Sequence, residues 1–316
     1  MEQFMIGIIA VVAVFGMMLV NARKNRSTET RKVIAAKPKR VLTEREKASC
    51  AEILKLSSTT YIKLTPVCKD VGIFDCKLGG IPYLPKDFEY PYNLDPESGG
   101  KPLKLLCQIN FSKLPKLDGF PQSGILQFYI AFDDGDSVNG LDFEDPTEQA
   151  AWRVVYHKDI DENENNLQQP PVLDSEKDIY FPLRGEFGLS AELASMPISS
   201  MDFRWNEFVE NSFKTTELYQ KLTSKYTDDE IEETLWEKSC EFGFKIGGYP
   251  AFAQYDVRDI AHRDDYSVLL LQLDSWYEKN GRGMMWGDTG VANFFINPDN
   301  LAKADFSDVL YNWDCY

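Results

Sequence analysis

The chain has 316 residues, 43% of them hydrophobic and 27% charged, enough apolar side chain for a sizeable core in one large domain or two intimate halves. Residues 1–47 hold ten basic and four acidic residues, so of the net −16 the remainder carries −22, with 24 basic against 46 acidic side chains. An acidic body without a basic stripe interleaved with aromatics excludes nucleic acid as a partner and favours a cationic ligand or a basic protein.

The N-terminal run Phe4 to Val20 is seventeen uncharged residues, about the lower limit for a helix that crosses a bilayer core. Arg23, Lys24, Arg26, Arg31 and Lys32 follow at once, and no basic residue precedes the run. Lys and Arg stay on the cytoplasmic side, so the pattern predicts a single-pass membrane anchor over residues 1–22 with the body facing the cytoplasm. A cleaved signal peptide is the alternative: Val20-Asn21-Ala22 resembles a cleavage site, but the basic n-region is missing. Residues 23–42 are polar, basic and without apolar periodicity, which reads as a flexible tether, and the folded domain is expected over 43–316. Cysteines 50, 68, 76, 107, 240 and 315 show no CxxC spacing, as suits reduced thiols, and Cys107 sits in an apolar run as a small core residue.

In chain order, Thr43 and Glu46 form a capping box for a helix that ends near Ser57, with Ala48, Ile53, Leu54 and Leu56 as its apolar face. Thr59 to Val67 reads as a strand closed by Pro66. Further on, Trp152 to His157 reads as a strand, Asp161 to Lys177 as a polar loop, and Glu186 to Leu193 as another strand. Helical patterns cover Asp202 to Phe213, Glu217 to Tyr226 and Asp228 to Cys240, the last opened by a second capping box, Thr227 with Glu230.

Three blocks recur in the same order. Lys77-Leu78-Gly79-Gly80-Ile81-Pro82 matches Lys245-Ile246-Gly247-Gly248-Tyr249-Pro250, and Leu106-Cys107-Gln108-Ile109-Asn110 matches Leu270-Leu271-Gln272-Leu273-Asp274. Ser123-Gly124-Ile125 to Ile130 matches Thr289-Gly290-Val291 to Ile296. Each repeat reads as a Gly-Gly-x-Pro turn, a buried strand with a Gln near its end, a loop, and a Gly-led aromatic strand. The expected class is therefore α+β, internally duplicated, mainly antiparallel with helices, in two pseudo-symmetric halves.

Chemistry-bearing residues are few. With only His157 and His262, multi-histidine zinc sites are excluded; His157 reads as a surface or edge residue of its strand, and His262 as part of a solvated loop. No GxSxG elbow, GxxxxGK[ST] loop or GxGxxG after a strand occurs. Gln108 and Gln272 end apolar strands, so their amides must find partners, either in a structural bond to the opposite repeat or on a ligand. Trp286 and Asp288 in Met285-Trp286-Gly287-Asp288 form the wall and polar handle of a pocket or else a packed turn closed by Asp288. The candidate ligand-binding set is Gln108, Gln272, Asp274, Tyr249, Trp286 and Asp288. Asp134, Asp136, Asp142 and Glu144 lie in an acidic segment, 133–145, that suits Ca²⁺ or Mg²⁺ or is a solvated loop; it lacks the glycine of an EF-hand.

The blocks Lys245 to Pro250, Leu269 to Asp274, Met285 to Ile296 and Leu310 to Cys315, with Gly140 to Thr147 and Arg153 to His157, resemble the YwqG-like family of bacterial proteins. The likeness spans roughly residues 45–316 and leaves out the apolar N-terminus. It implies a single duplicated α+β domain and a bacterial cytoplasm, and no substrate, cofactor or catalytic residue. Three functions remain to be separated: a binding module with an acidic cleft between the repeats, a divalent-metal-dependent hydrolase using segment 133–145, and a toxin-neutralising interaction partner.

Overall fold

The computed structural model describes residues 40–132, 138–173, 181–260 and 262–316, and Val41–Tyr316 form one compact unit. The apolar run Phe4–Val20, nearly all of the tether, and the candidate ligands Asp134 and Asp136 lie outside the described residues. Among the described residues no helix is long and apolar enough to cross a membrane.

Helix α1 (Glu44–Leu54) starts where the sequence places it. The Thr43 hydroxyl accepts from Glu46 N at 3.3 Å while the Glu46 carboxylate accepts from Thr43 N at 3.0 Å, so two orphan donors are satisfied reciprocally. Its buried face, Cys50 and Leu54, packs with Leu222, Ile231 and Leu235 of helices α3 (Glu217–Thr223) and α4 (Asp228–Ser239) in a small separate core. The helix expected over Asp202–Phe213 is shorter: α2 covers Trp205–Phe208 and continues as a π turn over Val209–Phe213. Asp202 is drawn instead into a buried ion cluster. Its carboxylate accepts from Arg204 Nε at 2.6 Å and from Arg258 Nη2 at 3.1 Å, and Arg258 also meets Asp256 at 2.7 Å, which holds residues 202–204 in a turn.

The strands are β1 (Thr59–Val67), β2 (Lys77–Leu78), β3 (Lys104–Asn110), β4 (Ile125–Ile130), β5 (Trp152–His157), β6 (Leu183–Arg184), β7 (Phe187–Met196), β8 (Phe244–Gly247), β9 (Val268–Asp274), β10 (Trp276–Tyr277), β11 (Gly283–Met284), β12 (Val291–Ile296) and β13 (Val309–Asp314). Ten of them form one antiparallel sheet in the order β13-β12-β9-β8-β1-β7-β2-β3-β4-β5; β10, β11 and β6 form a small second one. The class is thus α+β with mainly antiparallel strands. Read inward from either end, the order places the repeated blocks alike: β2 and β8, β3 and β9, β4 and β12.

The sheet's remote ends meet across the main core. Phe128 of β4 lies 4.7 Å from Phe294 of β12, and Trp152 of β5 lies 5.3 Å from Tyr311 of β13, ring centre to ring centre. Phe294 stacks on Tyr311 at 4.6 Å and 14°. All four rings are fully buried, so the core joins the middle and last thirds of the chain.

Candidate functional site

The polar residues shared by both repeats form a rung across each half of the sheet. Lys77, Gln108 and Gln127 stand opposite one another on β2, β3 and β4, and Lys245, Gln272 and Asn293 do so on β8, β9 and β12. All six are buried. Gln108 donates to Ile73 O at 2.7 Å and Asp75 O at 2.9 Å and accepts from Tyr83 N at 2.9 Å. Gln272 donates to Gly243 O at 2.8 Å and accepts from Ala251 N at 2.8 Å. Tyr83 and Ala251 each follow a Gly-Gly-x-Pro turn, and their carbonyls accept from Gln127 Nε2 at 2.8 Å and Asn293 Nδ2 at 2.9 Å. The amides therefore clamp the turn of their own repeat. This corrects the expected bond to the opposite repeat: Tyr83 and Ala251, the buried residues just after each turn, take their backbone partners from the rung of their own repeat.

The glycines give the turns their backbone path: Gly80 and Gly248 both adopt φ +74°, a region that residues with a Cβ rarely enter. Lys77 Nζ donates to Gly72 O at 2.9 Å and to Ile81 O, and Lys245 Nζ donates to Glu241 O at 2.5 Å. Burial depresses both amines from the usual 10.5 to about 8. Of the six side chains, Asn293 keeps a buried Oδ1 without a partner.

Further candidates fall apart spatially. Tyr249 lines a pocket of about 210 Å³ with Arg204, Asp118 and Thr60, its hydroxyl donating to Ser57 O at 3.0 Å. Asp274 lines a different pocket, of about 270 Å³, with Tyr61, Glu241 and Trp276. Its carboxylate accepts from Gly243 N and Ser275 N, both at 2.8 Å, and burial raises its pKa. Trp286 is wholly buried 5.9 Å from Trp313, a core residue and not a pocket wall. Asp288 is exposed on the following turn. Asp142 Oδ1 accepts from Glu144 N at 2.7 Å and Asp145 N at 3.0 Å, while the Glu144 side chain is exposed; among the described residues no three His, Cys, Asp or Glu side chains converge as metal ligands would. His157 is on the edge strand β5 as expected, yet it is buried and not at the surface. Its Nε2 lies 3.0 Å from Gln127 Oε1, with Phe88 and Tyr83 against the ring, and burial lowers its pKa from 6.5 to about 4.

A much larger cleft, about 900 Å³, opens along β5. One wall is Phe88 to Tyr92 and Leu94, the floor Arg153 to Tyr156, the far wall Ala304 to Ser307, and Thr147 to Gln149 close one end. The first wall packs on the outer face of the sheet, where Tyr90 lies 5.7 Å from Tyr129; the far wall packs against the main core, where Phe306 lies 5.0 Å from Tyr156. The lining carries Glu89, Glu148 and Asp305 against one basic side chain, Arg153, so it is net acidic. Gln149 bridges the floor and the far wall: its Oε1 accepts from Val154 N at 2.8 Å, and its Nε2 donates to Phe306 O at 3.2 Å and Ser307 O at 3.1 Å. Arg153 Nη2 donates to Gln149 O at 2.9 Å, and its Nε is buried without a partner. Among the described residues β5 pairs with β4 alone. None of the sequence-derived candidates lines this cleft. The run Glu89-Tyr90-Pro91-Tyr92 was its signal, a carboxylate beside aromatics in a polyproline-like stretch.

Defined by fold and site, the protein is a mainly antiparallel α+β unit with a cleft at one edge of its sheet. Residues 76–315 match the family described as Domain of unknown function (DUF1963), and the chain belongs to that family. No curated protein matches it.

Proposed function

We propose that the unit is a binding module and that its site is the acidic, aromatic cleft along β5. The observation that carries this is the lining itself: three carboxylates and five aromatic rings, Phe88, Tyr90, Tyr92, Tyr156 and Phe306, surround about 900 Å³ beside a strand edge that is unpaired among the described residues. Carboxylates supply the field for a cation, and ring faces add attraction of about 0.5–2 kcal/mol for each cationic group seated on them. One wall lies within the first sequence repeat and the other shortly follows the last block of the second, which accords with a ligand held between duplicated halves. The YwqG-like resemblance and the run Phe4–Val20 complete the reading as a membrane-anchored module whose folded part is cytoplasmic.

A tetralysine peptide titrated calorimetrically into the full chain at low salt tests this. Replacing the exposed carboxylates by Glu89→Gln and Glu148→Gln is expected to weaken binding about tenfold, since close charge pairs are worth on the order of 1 kcal/mol or more. The control pair Glu207→Gln and Glu217→Gln, outside the cleft, removes the same charge. Equal weakening by both pairs would mean that only net charge acts and that the cleft is not the site.

A further inference from the structure

We propose that the occupant of the cleft is an extended polypeptide carrying basic side chains, which adds to the free edge of β5 as a further strand and displaces Gln149 in doing so. This rests on the cleft being the binding site.

The hydrogen-bond alternation shows which backbone groups are on offer. Phe111 N donates to Gly124 O at 3.0 Å, which turns even-numbered β4 residues towards β3, and Ala131 N donates to Ala151 O at 2.9 Å, which turns odd-numbered ones towards β5. On β5 the peptide groups of Arg153 and Val155 therefore face β4, and those of Trp152, Val154 and Tyr156 face away from it; Trp152 is fully buried, and Val154 and Tyr156 line the cleft. Those two outward positions over three residues make a docking edge of roughly 10 Å at about 3.4 Å per residue.

The outward edge already has a stand-in. Gln149 presents a primary amide that accepts from Val154 N and donates to two carbonyls on the far wall. A side-chain amide has the same donor and acceptor as a peptide group, so what sits there is one peptide unit's worth of the missing strand. An incoming strand satisfies Val154 N with its own carbonyl and leaves Gln149 free to turn to solvent. A small polyamine answers the carboxylates but offers no carbonyl to Val154 N, and so cannot take this place. Along an added strand successive side chains point to opposite walls, one set towards Tyr90 and Glu89, the other towards Phe306 and Asp305. Both walls carry a carboxylate and an aromatic ring, which fits basic side chains in either set.

The probe is acetyl-(Lys-Val)4-amide, compared by calorimetry on the full chain with its fully N-methylated counterpart of equal charge and side chains. Strand addition predicts that N-methylation weakens binding at least tenfold, that Gln149→Ala tightens the unmodified peptide about threefold by removing the competing amide, and that Val154→Pro weakens it about tenfold while circular dichroism stays native, proline being tolerated on an edge. Equal affinity for the two peptides, with the loss on Glu89→Gln and Glu148→Gln retained, overturns strand addition and leaves the cleft as a site for cations. Indifference to the glutamate pair overturns the site itself.

Discussion

At β13, Tyr311 N donates to Pro146 O at 2.9 Å and Trp313 Nε1 to Val138 O at 2.8 Å, so a loop of the first repeat lies along that edge of the sheet. At β5, the equivalent end, the outward Val154 N meets, among the described residues, the side chain of Gln149. The residues opposite the Gly-led strands also differ: His157 faces Ile125, whereas Asp314 faces Val291 and accepts from Ala253 N and Gln254 N. The interior rungs diverge less: Gln108 and Gln272 both accept from the residue after the turn and Gln127 and Asn293 both donate to its carbonyl, whereas Lys77 meets the turn at Ile81 O and Lys245 donates to Glu241 O. A buried peptide group left unsatisfied costs about 1–3 kcal/mol, so every interior substitution is resisted. At an edge water satisfies the same groups, and the two ends are free to become a closed seam in one case and an open cleft in the other.

The largest effect expected from testing this comparison is at the rungs. Gln108→Ala strands Tyr83 N, Ile73 O and Asp75 O at once and should cost about 3–5 kcal/mol in urea denaturation. Gln272→Ala strands only Ala251 N and Gly243 O, and should cost less but more than about 2 kcal/mol. If either is neutral, the rung is not what holds the Gly-Gly-x-Pro turns.

The buried lysines sharpen the likeness through pH. Below about 8 both folded and unfolded chains hold the proton, and the folded state bears the whole burial penalty. Between about 8 and 10.5 the folded amines are neutral while the unfolded ones remain charged, so the unfolded state binds more protons and stability rises with pH. Two and a half pKa units correspond to roughly 3 kcal/mol for each lysine. Buried cysteines such as Cys50, Cys76 and Cys107 and buried tyrosines such as Tyr129 and Tyr311, whose pKa burial raises, oppose the trend where their unfolded counterparts ionise, from about 8.5 for cysteine and about 10 for tyrosine. The lysine contribution is therefore read as the change that Lys77→Met or Lys245→Met makes to the slope between about pH 8 and 10, each variant removing about half of that contribution. An undiminished slope in both variants would show that the two amines are not the titrating groups.

The smallest effect lies at the open edge. Gln149→Ala should lower stability by only about 1 kcal/mol, because Val154 N and the two carbonyls regain water. A loss of 3 kcal/mol or more would make Gln149 a structural closure equal to the β13 seam and would end its reading as a displaceable group.

Much of the fold was legible in the chain. The capping boxes at Thr43 and Thr227, the strands Thr59–Val67 and Trp152–His157, and the three matching blocks all appear where their local chemistry puts them. These are properties of residues within a few positions of one another: a hydroxyl three residues before a carboxylate, apolar runs, glycine pairs before proline. Where a distant partner intervenes, local pattern fails. Asp202 leaves its helix for Arg258, and His157, polar and near a strand end, is buried under Phe88 and Tyr83. The amides of Gln108 and Gln272 announced that they needed partners, but which ones depended on how a turn some 25 residues earlier folds back over them. The cleft is further still from local pattern. Its walls lie near residues 90, 150 and 305, and they meet only because the sheet curls until β5 and the approach to β13 face each other around Phe128, Trp152, Phe294 and Tyr311. Composition and spacing determined the strands, the rung residues and the acidic charge; which strand edge stayed open, and which carboxylates faced it, was decided by tertiary packing, because an edge exists only once every other strand has found its neighbour.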